Sequence, residues 1–108
     1  MIRVIEVGPR DGLQNEPSTI PTEAKVEFVN RLGRTGVDEI EVSAFVSPKR
    51  VPQLSDAGQV FAAIDRVPGV IYSALVPNEK GMERALEAEV DKISVFTAAS
   101  ETFNRRNI

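Results

Sequence analysis

The sequence contains no cysteine, no histidine and no tryptophan, and its aromatic residues are one tyrosine and five phenylalanines. Without cysteine there can be neither a disulfide framework nor a thiolate zinc site, which fits a reducing compartment, and we expect a cytoplasmic location. The lack of histidine removes the commonest general base and metal ligand. It therefore limits the catalytic and metal chemistry that these residues can supply by themselves.

An excess of basic residues is also missing, since the net charge is -3 and the isoelectric point is near 5.0. Nucleic-acid binding needs clustered Lys and Arg to attract phosphates, so we expect no nucleic-acid partner. No apolar run approaches the ~18 residues of a membrane span, and we expect no membrane partner. The 108 residues are 42% hydrophobic and 27% charged, which is typical of a globular protein with one modest core.

Four short apolar or β-branched runs predict strands at residues 2–7, 39–42, 70–76 and 92–96. Helical spacing separates them, first around Val26 and Val29, then around Val60 and Ile64, and last around Met82, Ala85 and Leu86. The predicted N-caps of the three helices are Thr22, Asp56 and Asn78, and Gly36 marks the end of the first. The interior glycine Gly81 weakens the third helix prediction.

Strands that alternate with helices indicate a parallel sheet, either a small doubly wound fold or part of an eight-stranded barrel. The first strand lacks polar alternation at Val4, Ile5 and Val7, so we expect burial on both of its faces. Nearly every informative polar residue follows the C-terminal end of a strand. In parallel α/β folds these positions share the rim on which active sites are built, which favours the barrel.

Arg10 and Asp11 stand side by side just after the first strand. They can be a simple surface turn, because Asp-Gly is a strong turn dipeptide. They can also be functional, since a carboxylate at a strand end is a hard ligand for Mg²⁺ or Mn²⁺ and a guanidinium can stabilise an oxyanion.

Glu41 is unusual because a carboxylate within the strand sequence IEVSAF is costly to bury without a partner. Either it faces the helix layer and reaches solvent at the rim, or it pairs with Arg10 from the neighbouring strand end. Lys49, Arg50, Arg105 and Arg106 can meet phosphates of an anionic substrate or form a solvated rim.

Four long stretches indicate a family: EVGPRDGLQNE, IEVSAFVSPKRVPQ, LVPNEKG and VFTAASETFNRRNI. In this order they resemble the N-terminal part of hydroxymethylglutaryl-CoA lyases, over essentially the whole chain. The related isopropylmalate and homocitrate synthases share the Arg-Asp-Gly core in a TLRDGEQ-like context. The context GPRDGLQNE favours the lyases.

The resemblance implies the N-terminal (βα)3β portion of a TIM (β/α)8 barrel, with residues 1–108 forming an incomplete part of one lyase domain. It implies cleavage of an acyl-CoA substrate, 3-hydroxy-3-methylglutaryl-CoA, to acetyl-CoA and acetoacetate in leucine degradation and ketone-body formation. The implied cofactor is a divalent cation, Mg²⁺ or Mn²⁺. Carried over residue by residue, Asp11 is a metal ligand, Arg10 stabilises the enolate of acetyl-CoA, Glu41 orients the pair, and Gln14 contacts substrate.

The histidine and cysteine motifs that the family carries later in its barrel have no counterpart in this sequence. One carboxylate does not define a Mg²⁺ site, so we expect these 108 residues alone to be inactive. One alternative is a related metal-dependent acyl-CoA lyase or synthase. The other is a non-catalytic half-barrel that assembles through its open strand edges. A homo-oligomer is expected.

Overall fold

The computed structural model describes residues 3–12, 20–47, 49 and 51–95. These residues form four strands, β1 (Ile5–Glu6), β2 (Glu39–Ala44), β3 (Ile71–Leu75) and β4 (Lys92–Ser94). They also form three α-helices, α1 (Thr22–Gly33), α2 (Ala57–Ala63) and α3 (Glu79–Glu87). One turn of π-helix, Gly8–Gly12, follows β1, and a 3₁₀ turn, Pro52–Leu54, precedes α2. The predicted alternation of strands and helices is confirmed.

The four strands form one parallel sheet in the order β1-β2-β3-β4. Neighbours along the chain are therefore neighbours in the sheet, as expected when each crossover helix packs back onto the strand it follows. The predicted parallel sheet is confirmed. Its consequence for function is that the loops after β1 and β2 leave the same edge of the sheet side by side.

The two faces of the sheet differ in chemistry. Ile40 of β2 and Tyr72 of β3 are fully buried in a core that includes Val29, Val60 and Phe61 of the first two helices. Because side chains alternate along a strand, the neighbouring positions project from the opposite face. These positions carry the polar residues Glu39, Glu41, Ser73 and Lys92.

Glu39 is only 2% exposed, and two cations reach its carboxylate, one from the segment before β1 and one from β4. Arg3 Nη2 lies 3.2 Å from Glu39 Oε1, and Lys92 Nζ lies 3.0 Å from the same oxygen. Burying a carboxylate is costly unless charge and hydrogen bonds compensate it, and here both partners do. The cluster links the start of the chain, β2 and β4 at the N-terminal edge of the sheet.

The expectation that β1 is buried on both faces is wrong. Val4, Ile5 and Val7 are 50%, 45% and 38% exposed. The physical reason is position in the sheet, since β1 has β2 as its one neighbour among the described strands. A similar error concerns Leu86, which fits the helical spacing of the third helix but is 71% exposed on α3.

The helix starts agree in part with the predicted caps. Asn78 caps α3 as expected, because its Oδ1 accepts a hydrogen bond of 2.8 Å from the Gly81 amide. Thr22 is not the cap of α1, which is Pro21. Asp56 occupies the cap position of α2 without a capping hydrogen bond. The Thr22 hydroxyl and the Asp56 carboxylate bind each other instead.

Gly81 lies where α3 passes very close to the chain that leaves β2. A Cβ atom at this position would lie 2.5 Å from the Phe45 carbonyl oxygen, a backbone atom. Glycine is therefore required by this close approach, and it accounts for a residue that is otherwise unfavourable inside a helix.

Candidate active site

One side of the candidate site is formed by the π-helical turn Gly8–Gly12, which follows β1 and carries Arg10. The Gly8 amide donates to Glu6 Oε1 at 2.9 Å, and the Arg10 amide donates to the Val7 carbonyl at 3.1 Å. A Cβ at Gly8 would lie 3.2 Å from the Phe28 ring of α1 and 2.8 Å from Glu6 Oε1. The glycine thus lets the turn pack closely against Phe28 and Glu6, and this packing fixes the position of the Arg10 backbone at the rim.

Arg10 and Glu41 form an ion pair at this rim. Arg10 Nε donates to Glu41 Oε1, with side-chain exposures of 20% and 9%. The predicted partnership between the two residues is confirmed. Glu41 does not reach solvent through the helix layer, and Arg10 is not a solvated turn residue. An ion pair with this little solvent around it is stronger than an exposed surface pair, because screening is weaker.

An irregularity in strand pairing lies directly beside Glu41. Glu41 is opposite Ser73 of β3, but Ser43 is opposite Ala74, so the register shifts between Glu41 and Ser43. A bulge adds a residue to one strand and redirects the side chains next to it. The shift therefore lies at the point where β2 turns from sheet to rim.

The other two predicted site residues are Asp11 and Gln14. Asp11 lies in the π-helical turn beside Arg10, but its side chain is outside the described part of the chain. Gln14 and the predicted rim residues Arg50, Arg105 and Arg106 lie outside the described residues altogether. Lys49 is described and is exposed on the loop after β2.

Within the described residues no group of three or more His, Cys, Asp or Glu side chains is placed to hold a metal ion. The Glu41 carboxylate is engaged by Arg10. A divalent cation of the Mg²⁺ type needs several oxygen ligands, so these residues do not form a complete cation site. Asp11, the predicted metal ligand, has its backbone in the turn Gly8–Gly12.

A buried polar cluster that sequence reasoning missed joins α1 to the loop after β2. Lys25, only 5% exposed, donates from Nζ to Asp56 Oδ1 at 2.6 Å and to the Gln53 carbonyl oxygen. The Thr22 hydroxyl donates to the other carboxylate oxygen of Asp56. We call these four residues the loop clamp. The signal in the sequence was a lysine beside the apolar residues Val26 and Val29 that form the buried stripe of α1.

The clamp changes the acidity of Asp56. Burial by itself would raise the pKa of this carboxyl group. The hydrogen bonds from Lys25 and Thr22, together with the charge of Lys25, outweigh burial and hold the pKa below its ordinary value of 3.8. The carboxylate is thus ionised at neutral pH and remains a partner for the lysine.

A groove of about 630 Å³ lies elsewhere, on the helix side of the sheet. Its floor is the stacked pair Phe45 and Phe61, with ring centroids 5.7 Å apart. The guanidinium groups of Arg84 and Arg66 lie over these rings at 5.1 and 5.8 Å. No predicted site residue lines this groove, so the rim at Arg10 and Glu41 remains the candidate active site.

Comparison with known proteins gives a consistent result for the whole chain. The family model described as HMGL-like matches residues 1–108. A hydroxymethylglutaryl-CoA lyase of Bacillus subtilis is 54% identical over 107 residues, which cover 99% of this chain and 36% of the relative. A 3-hydroxy-3-isohexenylglutaryl-CoA/hydroxy-methylglutaryl-CoA lyase of Pseudomonas aeruginosa is also 54% identical, with the same coverage.

Solved structures agree. The crystal structure of the B. subtilis HMG-CoA lyase superimposes with a TM-score of 0.91 over 99% of this chain and 36% of that chain. An HMG-CoA lyase of A. baumannii, in complex with coenzyme A and 3-methylmalate, superimposes with a TM-score of 0.93 at 44% identity, over 99% of this chain and 35% of that chain. The four parallel strands match the N-terminal part of a TIM barrel, as predicted.

The chain spans about a third of the length of the curated relatives it matches, 36% for the two bacterial lyases. The family consists of metal-dependent enzymes, which points to a divalent cation. Among the helices of the described residues, none is both long enough and apolar enough to cross a membrane.

Proposed function

Because the chain belongs to the HMGL-like family, we propose that it is the N-terminal part of a hydroxymethylglutaryl-CoA lyase. The proposed reaction is cleavage of 3-hydroxy-3-methylglutaryl-CoA to acetyl-CoA and acetoacetate. The observation that carries this proposal is the Arg10–Glu41 ion pair at the C-terminal rim of a parallel sheet. This is the rim on which barrel enzymes assemble their active sites.

The reaction creates negative charge that a protein donor must meet. A proton leaves the tertiary hydroxyl group, the oxygen becomes the ketone of acetoacetate, and the carbon–carbon bond breaks. The bonding electrons pass to the thioester fragment as an enolate, which takes up a proton on carbon to give acetyl-CoA. A donor placed in advance at the enolate oxygen lowers the barrier without reorganisation.

Arg10 is proposed as this donor, with Glu41 as its positioning residue. Glu41 holds the guanidinium through Nε, and it does so from β2, which is fixed on both sides by β1 and β3. A guanidinium carries five N–H donors in a planar fork, so it can serve a carboxylate and a substrate oxygen together.

Asp11 is proposed as one ligand of the divalent cation, Mg²⁺ or Mn²⁺, with the other ligands outside the described residues. A cation bound there would polarise substrate oxygens. Gln14, in the same loop, remains the predicted substrate contact. A cytoplasmic location remains a prediction, because the relatives include both cytoplasmic and mitochondrial lyases. A homo-oligomeric state also remains a prediction.

A second candidate substrate follows from the P. aeruginosa relative, whose name includes an isohexenyl analogue of the same thioester. It is as similar to this chain as the B. subtilis lyase. The two thioesters share the reacting carbon atoms, so the Arg10 chemistry would serve either one. The enzyme would distinguish the two thioesters in the pocket that binds the methyl or isohexenyl group.

The test uses a chimera, which we call the joined enzyme, in which residues 1–108 replace the matching N-terminal part of the B. subtilis lyase. We expect it to cleave 3-hydroxy-3-methylglutaryl-CoA in the presence of Mg²⁺ or Mn²⁺, and we expect the 108-residue chain alone to be inactive. Arg10→Met should lower kcat by about 10²- to 10³-fold, as for loss of an oxyanion donor.

Arg31→Met is the matched control, because Arg31 pairs with Glu27 on the exposed surface of α1. Its kcat should equal that of the joined enzyme. If Arg10→Met kept more than about a third of the activity, the assigned role of Arg10 would be wrong. Cleavage of the isohexenyl thioester with a higher kcat/KM than the methyl thioester would make the second substrate the better one.

A further inference from the structure

We infer that Lys25 and Asp56 are positioning residues that hold residues 51–56, the end of the loop after β2, against the start of α1 in the arrangement that binds the thioester substrate. This inference rests on the proposed function and adds residues to its site. It is carried by the loop clamp of Thr22, Lys25, Gln53 and Asp56, which ties the end of that loop to the start of α1.

The clamp is the second tie between the same two segments. The loop after β1 starts at the turn that carries Arg10 and ends where α1 begins, at Thr22. The loop after β2 ends where α2 begins, just after Asp56. The Arg10–Glu41 pair joins the two segments at their strand ends, and the clamp joins them at their helix ends. The described ends of the two loops are therefore tied to each other at two places.

The chemistry of the clamp favours a defined geometry over simple packing. Lys25 lies in the buried stripe of α1, where an apolar side chain of similar length would fill the same space without the cost of burying a charge. The lysine instead directs its ammonium group at a carboxylate and a backbone carbonyl oxygen. Those two contacts restrain the backbone of the loop at Gln53 as well as the start of α2.

The clamp and the catalytic pair should affect different kinetic constants. Glu41 lies within β2 and keeps its place through strand pairing, so loss of the clamp leaves the Arg10–Glu41 pair in position. Residues 51–56 lose the restraint at Gln53 and Asp56. When substrate binding must also order a loop, the cost of ordering lowers the affinity for the substrate. The rate at which the bound substrate reacts is little changed.

The experiment measures KM and kcat of the joined enzyme with 3-hydroxy-3-methylglutaryl-CoA, and amide hydrogen exchange of residues 51–56. Lys25→Met should raise KM about tenfold with kcat within about threefold of the parent. Thr22→Val removes one hydrogen bond at constant shape, and it should raise KM by a smaller factor. Both variants should exchange faster at residues 51–56, while residues 39–44 of β2 stay protected.

Arg31→Met again serves as the control, because it removes an exposed ion pair from the same helix. A fall in apparent kcat at unchanged KM would mean only a smaller folded fraction and would overturn the inference, as would exchange equal to that of the control. If the parent enzyme were inactive, the proposed function would fail. Amide hydrogen exchange would then test the role of the clamp by itself. Faster exchange at residues 51–56 in Lys25→Met and Thr22→Val would support that role, and unchanged exchange would overturn it.

Discussion

Asp56 shows how one side chain can have a different role from the one its local sequence indicates. Its position just before a helix is typical of an N-cap. In the structure its two carboxylate oxygens accept hydrogen bonds from Lys25 and Thr22 of another helix. The reason is competition for one acceptor, since a buried ammonium group is a stronger partner for a carboxylate than a backbone amide. The residue therefore joins two elements rather than ending one.

The lowered pKa of Asp56 predicts a specific loss of stability in acid. A carboxyl group whose pKa is lower in the folded protein than in the unfolded chain stabilises the fold above the unfolded value, near 3.8. That contribution is lost as the pH falls below 3.8 through the folded pKa. At pH 7 the Asp56→Asn variant of the joined enzyme should thus unfold at a lower urea concentration than the joined enzyme itself. The difference between the two urea midpoints should shrink below about pH 4.

Glu27→Gln is the control for this measurement, because it removes the exposed carboxylate of the Arg31–Glu27 pair. Exposed pairs contribute about 0–1 kcal/mol, so its urea midpoint should stay close to the parent value. A difference between Asp56→Asn and the parent that persisted unchanged to pH 2.5 would contradict the lowered pKa.

Helix α3 shows why a helix can contain a residue of poor helix propensity. The spacing of Met82 and Ala85 predicted this helix, and Asn78 caps it as expected. Gly81 is explained by a contact with the chain after β2, which no local pattern reveals. The same distinction applies to Leu86, whose spacing fits the buried stripe although its side chain is exposed. The periodicity of apolar residues predicts that a helix exists, while contacts with distant parts of the chain decide how closely that helix can pack.

Gly81→Ala should destabilise the protein, although alanine is the better helix former. The added Cβ would lie 2.5 Å from a backbone oxygen, so α3 or the segment at Phe45 must move. We expect a loss of about 1–3 kcal/mol in the free energy of unfolding, measured by urea denaturation.

Gly58→Ala is the matched control in α2, where a Cβ would have no atom within 4 Å. Helix propensity then acts alone, and this substitution should stabilise the protein by about 0.5–1 kcal/mol. Equal effects of the two substitutions would show that the close approach at Gly81 does not restrict its side chain.

Across the molecule, the sheet separates an apolar face from a charged one. The helices cover the first face, where Ile40 and Tyr72 are buried. The second face has a charge cluster at each end, with Arg3, Glu39 and Lys92 at the N-terminal edge and Arg10 with Glu41 at the C-terminal rim. Glu39 and Glu41 are two positions apart on one strand, so both carboxylates share a face, Glu39 with two cations and Glu41 with one.

The cluster at the N-terminal edge predicts which of two single substitutions destabilises the protein more. Lys92→Met leaves the buried Glu39 carboxylate with Arg3 alone, whereas Glu39→Gln returns two partly exposed cations to water. Lys92→Met should therefore cost more in the free energy of unfolding, about 2–3 kcal/mol against about 1–2 kcal/mol. The double variant Glu39→Met/Lys92→Met should cost less than the sum of Glu39→Met and Lys92→Met.

Urea denaturation of these variants supplies the double-mutant cycle. If Glu39→Met and Lys92→Met were additive, the two side chains would not interact in the folded protein, and the cluster would not stabilise the sheet.

The sequence by itself determined the order of elements, the parallel sheet and the family, and it offered the pairing of Arg10 with Glu41 as one of two alternatives between which the structure decided. These features depend on periodicity, on short-range motifs and on the rule that parallel strands end at one rim, all of which can be recognised from residues close together in the chain.

Only the tertiary structure decided the loop clamp, the Glu39 cluster, the need for glycine at position 81 and the exposure of β1. Each of these depends on a contact, or on a missing neighbour, between segments far apart in sequence. Burial and ion pairing are properties of such contacts, so a buried lysine in α1 acquires its role only when the loop after β2 folds against it.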